Sequence, residues 1–270
     1  MKPCIIVYVD GGICSQMHQY LLGRYYAEQG YIVTYDTGWY ARNGKDNNGI
    51  HSRIFEFRDM WPDLPFEVAP STLVAFYSRV FPVQRNGMHF PLHIQPPQYL
   101  HGYYFFDDEK YYGALFQRYF NLENAASYEL PSFFKEWEGV KCAVHVRRGD
   151  LAQMDDVFYG KVTIEYFRKA ILYIQDRFKK VVFFFFSDEI DWVENNLSHI
   201  YNSLPHKLIK GNKAFEDLYL MARCDCFIAS QGSAGKFAAM LNGRGLLVLS
   251  GDTHDAVWVE RYGNTCVIDC

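Results

Sequence analysis

A chain of 270 residues with 27 Lys and Arg against 31 Asp and Glu has a net charge of −4, which offers nucleic acid or an anionic membrane no electrostatic hold. Its longest strongly apolar run, Val181–Phe186, is far short of the ~20 residues that span a bilayer, and the start "MKPCIIVYVDGG" lacks the apolar core and cleavage site of a secretory signal. Seven cysteines, an odd number without paired zinc-ligand spacing, fit a reduced protein, cytoplasmic or peripheral to the inner membrane face, with most thiols as small buried hydrophobes.

In chain order, Cys4–Val9 is a short apolar run that reads as a buried parallel strand. Gly11 and Gly12 turn the backbone, and Met17, Tyr20, Leu21, Tyr25 and Ala27 recur at near-helical spacing between about Ser15 and Gln29. Gly30 supplies a helix stop and Tyr31–Tyr35 resumes as strand, completing a β-α-β unit. From Asp36 to Trp137 the chain is rich in Tyr, Phe, Pro and Asn with weak periodicity, and the pattern does not order its elements. Regular alternation returns with a strand at Cys142–Val146, a helix at Ile164–Phe178, a strand at Val181–Phe186 and a short helix at Ile190–Leu197. A strand around Leu208–Ile209, a helix at Ala214–Ala222, a strand at Cys226–Ala229, a helix at Ala234–Leu241 and a strand at Leu246–Leu249 follow. That rhythm predicts an open parallel sheet with helices on both faces, and hence an α/β chain of two Rossmann-like domains, 1–138 and 139–270.

Ligands of such sheets bind at the carboxyl ends of the strands, and the chemistry-bearing segments fall there. His145–Asp156, "HVRRGDLAQMDD", begins as the strand Cys142–Val146 ends; Asp10–Tyr20, Ser187–Glu189 and Ala229–Lys236 follow other strands. Ala229–Lys236, "ASQGSAGK", has the small residues of an anion cradle at a helix N-terminus, without the glycine spacing or the Ser/Thr of a P-loop. Arg147 and Arg148 offer planar forks to diphosphate oxygens. Strand alternation puts His145 and Arg147 on one face and turns Arg148 to the other, where it is either a phosphate ligand or an ion-pair partner. Asp150, at the strand-to-loop junction, is placed to fix an arginine. Asp217 lies off the helix stripe of Phe215, Leu218, Tyr219 and Ala222, and like Glu216 it could simply favour the helix dipole. The triplet Arg148-Gly149-Asp150 starts at a buried strand end and does not read as an adhesion motif. Asp107-Asp108-Glu109 and Asp155-Asp156 resemble acidic metal pairs but follow no evident strand, and His89, His93 and His101 read as structural, so no metal site is expected.

Together "GGICSQMHQYLLGRYYAEQG", "VHVRRGD", "FFFFSDEIDWVENNL" and "FEDLYLMARCDCFIASQGSAGKFAAMLN" resemble the α-1,2-fucosyltransferases of glycosyltransferase family 11, within the α-1,2/α-1,6/protein-O-fucosyltransferase superfamily. The resemblance covers roughly residues 5–35 and 141–249. It implies a GT-B fold of two Rossmann-like domains facing a cleft, with the acceptor side in the first and GDP-sugar in the second. It further implies inverting, metal-independent transfer of L-fucose from GDP-fucose to a glycan hydroxyl, the 2-OH of galactose, with no cofactor. By the same resemblance Arg147 is the diphosphate ligand, His145 helps hold the nucleotide, Asp217 accepts from guanine, Ser233 contacts the β-phosphate and Gly12 belongs to the ligand-facing turn. A base carboxylate ten residues after the motif histidine maps onto Asp155, against a solvated loop pair; His18 is the competing base, against a packed helix-face histidine. The chain departs from the family at Cys14, Ser15 and His18, and at Ala234–Ala238 where Phe-Ser-Trp-Trp-Gly is usual. Those departures leave open a non-catalytic GDP-sugar-binding protein, or a transferase of another GDP-sugar.

Overall fold

The computed structural model describes residues 4–45, 49, 52–81, 83–85, 98–101, 109–153, 163–251 and 256–269. It divides into two compact units, Met1–Tyr119 with Asn124–Ala126, and Phe120–Glu123 with Ser127–Cys270.

In the first unit, β1 (Cys4–Tyr8), β2 (Ile32–Asp36), β3 (Val83–Arg85) and β4 (Gln98–His101) form a parallel sheet in the order β2-β1-β4-β3. The aliphatic run Ile5-Ile6-Val7 is wholly buried, as a strand covered on both faces requires. α1 (Ile13–Glu28) buries polar residues along with apolar ones: Gln16 and Gln19 are as inaccessible as Met17 and Tyr20. The aromatic middle supplies α2 (Gly38–Arg42), α3 (Phe57–Met60), α4 (Ser71–Val80) and α5 (Glu109–Tyr119). Its rings fill the space beside α1, with Tyr35 stacked on Phe66 at 4.2 Å and Tyr20 against Phe57 at 4.7 Å.

In the second unit, β5 (Val140–Val146), β6 (Val181–Ser187), β7 (His206–Leu208), β8 (Cys226–Ala229), β9 (Leu246–Ser250) and β10 (Thr265–Ile268) form a parallel sheet ordered β10-β9-β8-β5-β6-β7. The connecting helices are α7 (Ile164–Arg177), α8 (Ile190–Tyr201), α9 (Ala214–Ala222), α10 (Ala234–Asn242) and α11 (Ala256–Tyr262). α6 (Ser132–Lys135) joins this unit because the rings of Phe133 and Phe134 lie 6.0 and 5.0 Å from Phe184 of β6. The structural division therefore falls ahead of residue 138. Winding runs outward through β6 and β7 on one side of β5, then through β8, β9 and β10 on the other. The order thus reverses between β5 and β8, and such a reversal opens a crevice at the strand ends. No helix among the described residues is long and apolar enough to cross a membrane.

Candidate functional site

His145 and Arg147 stand at the end of β5, beside that reversal. His145 pairs across to Ala229 of β8, whose strand ends there and gives way to the turn Ser230–Ser233 and the N-terminus of α10. Ser230, 1% exposed, staples the two strand ends: its N–H donates to the His145 carbonyl at 3.1 Å and its Oγ accepts from the Arg147 N–H at 2.7 Å. Gly232 has a left-handed φ of +83°, and a β-carbon there would lie 3.4 Å from Arg147 Cγ. The small-residue turn expected from "ASQGSAGK" is thus folded around the side chains of β5.

Arg147 is fixed from two sides. One guanidinium nitrogen pairs with Asp150, in the 3-10 turn Gly149–Gln153 after β5, and another with Asp188, just past β6. Asp150 thus does the work expected of it. Asp188, noted in sequence only as part of a strand-end segment, also accepts from the Arg148 N–H at 2.9 Å, tying the ends of β5 and β6 together. Arg148 turns to the other side, where its guanidinium lies 4.1 Å over the Trp192 ring of α8 and its Nε is 3.5 Å from Glu189. The structure gives it the ion-pair place.

His145 is 8% exposed, and its Nδ1 is buried with no hydrogen-bond partner among the described residues. Burial, reinforced by the charges of Arg147 and Lys236, pushes its pKa down to about 3, so the ring is neutral at physiological pH. Ser233 is the N-cap residue of α10 and makes no side-chain cap bond.

The two acids of α9 separate. Glu216 accepts from the Lys213 N–H at 2.7 Å in a capping arrangement, so for Glu216 the helix-start role holds. Asp217 instead accepts from Asn212 Nδ2 at 2.9 Å, in the same first turn and half-buried. Leu218, Tyr219 and Ala222 are buried as the stripe requires. Tyr128 packs edge-on to Tyr219 at 6.0 Å. Burial, with the charges of Glu216 and Asp217, raises its phenol pKa.

In the first unit, Gly12 begins α1 with extended backbone, and a β-carbon on it would meet nothing within 4 Å. His18, the competing base, is 7% exposed, with Nδ1 3.0 Å from the Tyr112 hydroxyl of α5. Neighbouring glutamines explain the rest of the motif. Gln16 accepts from the N–H groups of Glu56 and Phe57 and donates to the carbonyls of Gly11 and Ile54. Gln19 binds Asp10 through both backbone and carboxylate. Nothing local in sequence announced these roles, because the partners of Gln16 include residues 38 to 41 positions away.

Asp155, the expected base, lies outside the described residues, as do Asp156, Asp107, Asp108, His89 and His93. Among the described residues no group of three or more His, Cys, Asp or Glu is placed to hold a metal ion.

Residues 57–261 match the model of Glycosyl transferase family 11. An alpha-1,2-colitosyltransferase of Escherichia coli is 32% identical over 122 residues, which is 44% of this chain and 41% of that protein. The O-antigen biosynthesis glycosyltransferase WbnK of Escherichia coli is 30% identical over 106 residues, 37% of this chain and 34% of that protein. The matched region thus spans about two fifths or less of these curated relatives. Among solved structures, the NodZ alpha-1,6-fucosyltransferase co-crystallized with GDP superposes with a TM-score of 0.47 at 14% identity, covering 89% of this chain and 93% of that one.

Proposed function

The chain belongs to glycosyl transferase family 11, and from that premise we propose that it transfers L-fucose from GDP-fucose, with inversion, to a hydroxyl of an acceptor glycan, the 2-OH of galactose. The observation that carries the proposal is Arg147, clamped by Asp150 and Asp188 at the reversal of strand order, beside the neutral His145 and the start of α10.

In this reaction the acceptor oxygen attacks C1 of the sugar from the face opposite the diphosphate. The C1–O bond to the β-phosphate breaks, and its electron pair leaves with GDP. Negative charge therefore builds on the diphosphate, where a preorganised donor is worth about 10²–10³ in rate. Arg147 is such a donor: its guanidinium carries several N–H groups in one plane, and two carboxylates fix that plane before substrate arrives. The free N–H groups of the first turn of α10 add to it, with Ser233 as the N-cap residue. These groups supply the charge stabilisation that other transferases draw from a metal ion, which is the ground for proposing metal independence. Asp217, oriented by Asn212, presents a carboxylate suited to the N1–H and amino group of guanine. The proton of the acceptor hydroxyl goes to Asp155, with His18 the alternative base.

A second reading has its own support. One relative is named for colitosyl transfer, which favours a donor sugar other than fucose held by the same nucleotide contacts. The name of the other, with its O-antigen role, supports an O-antigen type of acceptor. The experiment is acceptor-dependent release of GDP from GDP-fucose, with galactosides offered and EDTA present. Release that survives EDTA and falls ~10²–10⁴-fold in Asp155→Asn supports the proposal. Release only after Mn²⁺ or Mg²⁺ is added would refute metal independence, and GDP binding without any release would favour the second reading or a binding protein.

A further inference from the structure

A solvent-open groove of about 660 Å³ lies in the first unit, along the outer edge of β2. Its size is that of a ligand site. Its walls are the later turns of α1, the strand itself and residues 65–68.

β2 ends its sheet, and its outer edge is covered over only part of its length. Tyr35 donates its N–H to the Glu67 carbonyl at 2.8 Å and accepts from the Ala69 N–H at 2.8 Å, so residues 67–69 run alongside it. Asp36, one residue on, turns its carbonyl inward to the Val9 N–H at 2.9 Å. By the same alternation the N–H and C=O of Val33 face outward with those of Tyr35. Among the described residues they have no backbone partner on that side. The open edge therefore offers a donor and an acceptor side by side, at a residue that lines the groove.

The side chains along the edge carry the same mixture. Arg58 donates one N–H to the Phe66 carbonyl, and a guanidinium has five. Arg24 lies with its guanidinium 5.1 Å over the Tyr119 ring, and its Nε is buried without a hydrogen-bond partner among the described residues. The carboxylate near it, Glu28, is engaged by Arg118 at 2.8 Å and by the Tyr119 hydroxyl at 2.6 Å. Glu67 is exposed, and Tyr31, half-buried, brings an aromatic ring to the same wall.

Planar donors, a carboxylate, an open backbone pair and a ring in one shallow groove match a sugar, whose hydroxyls both donate and accept and whose ring has an apolar face. An anion suits the groove less well, because Glu67 shares the wall with the two arginines. A second copy of the chain added edge to edge is obstructed by residues 67–69, which already hold the edge at Tyr35. The groove is also near the ligand end of its sheet: Val33 is three residues before Asp36, the carboxyl end of β2, or about 10 Å along the strand.

We propose that this groove holds sugars of the acceptor glycan beyond the galactose that is modified, so that long acceptors bind better than short ones. The inference rests on the glycosyl-transfer reading, with the reactive end of the acceptor at the carboxyl end of the first sheet.

The test compares lactose with a galactose-ended hexasaccharide of alternating galactose and N-acetylglucosamine, by acceptor kinetics with GDP-fucose and by calorimetric titration without donor. Wild type should show a KM and a Kd about tenfold lower for the hexasaccharide. Ala27→Trp fills the groove from α1 and should abolish that advantage, leaving kcat, the KM for lactose and the KM for GDP-fucose unchanged. Glu67→Ala, at an exposed side chain, should weaken hexasaccharide binding about threefold to tenfold with lactose unaffected. Equal affinity of wild type for the two sugars, or an advantage kept in both variants, would overturn the inference. Should Ala27→Trp lose lactose turnover as well, Glu67→Ala decides. If the hexasaccharide binds through the groove but GDP-fucose is never turned over, the inference stands and the fucosyl-transfer reading falls. If GDP is released with both sugars at equal KM, the reading stands and the inference falls. If neither sugar binds, both fall.

Discussion

Gly235 and His145 are in contact so close that a β-carbon at position 235 would meet the His145 Cβ at 2.9 Å. The same atom would lie 3.0 Å from the Ala229 Cβ. Neither neighbour is the loose end of a flexible side chain, so α10 would have to lift from β5 and β8. Alanine gains up to ~1 kcal/mol over glycine inside a helix, whereas overpacking costs ~1–3 kcal/mol. Gly235→Ala should therefore lower the melting temperature and weaken GDP binding together, because the start of α10 is displaced. A variant unchanged in both would show that this contact does not set the site.

His145 predicts a pH dependence. In the folded chain its pKa is pushed down to about 3 by burial, then by Arg147 and Lys236, against an ordinary value of 6.5. The unfolded chain therefore binds the extra proton first, and the folded state loses stability as pH falls from 6.5 toward about 3. The loss is at most about 1.4 kcal/mol per pH unit. Denaturation of wild type and His145→Asn at pH 7.5 and pH 5 should show the gap between them narrowing at the lower pH. A constant gap would mean that the ring is already solvated or paired.

Arg147 and Arg148 should differ in kind. Arg147→Ala should weaken GDP binding about tenfold or more; Arg148→Ala should lose mainly its stacking on Trp192, about 0.5–1 kcal/mol of stability. Because Arg147→Ala leaves Asp150 and Asp188 without their shared cation, Arg147→Lys is the control that keeps charge and loses the planar fork. Equal effects of the two alanine variants on GDP affinity would reject the assignment.

How far this site could be seen in sequence depends on how local its causes are. β5, β6, β8 and β9 are near-continuous apolar runs bounded by turns, and α9 shows its stripe over the Ala214–Ala222 span that it occupies. Arg147, Asp150 and the turn at Ser230–Ser233 follow directly from those strand ends. α2 and α3 span five and four residues, too few for a periodicity to register. α11 and β10 are short and come after the last expected strand. The burial of Lys236 was hidden for a different reason: a charged residue reads as exposed, and only the fold shows it 3% exposed beside the Trp258 ring.

Asp217 should govern the base. Asp217→Asn keeps the shape and the neighbour Asn212 but replaces an acceptor oxygen with a donor. Competition among free GDP, ADP and UDP should show the preference for GDP falling by about tenfold to a hundredfold. If the order and spacing of the three nucleotides persist, guanine is recognised elsewhere.

A nucleotide diphosphate is expected to sit where the strand order reverses between β5 and β8, on Arg147 and the start of α10. A crystal structure of the chain with GDP tests it most directly. Diphosphate oxygens should lie within hydrogen-bond reach of Arg147 and of the N–H groups at the start of α10, with the guanine edge on Asp217. GDP seated at the strand ends of the first sheet, or no GDP bound at saturating concentration, would contradict it.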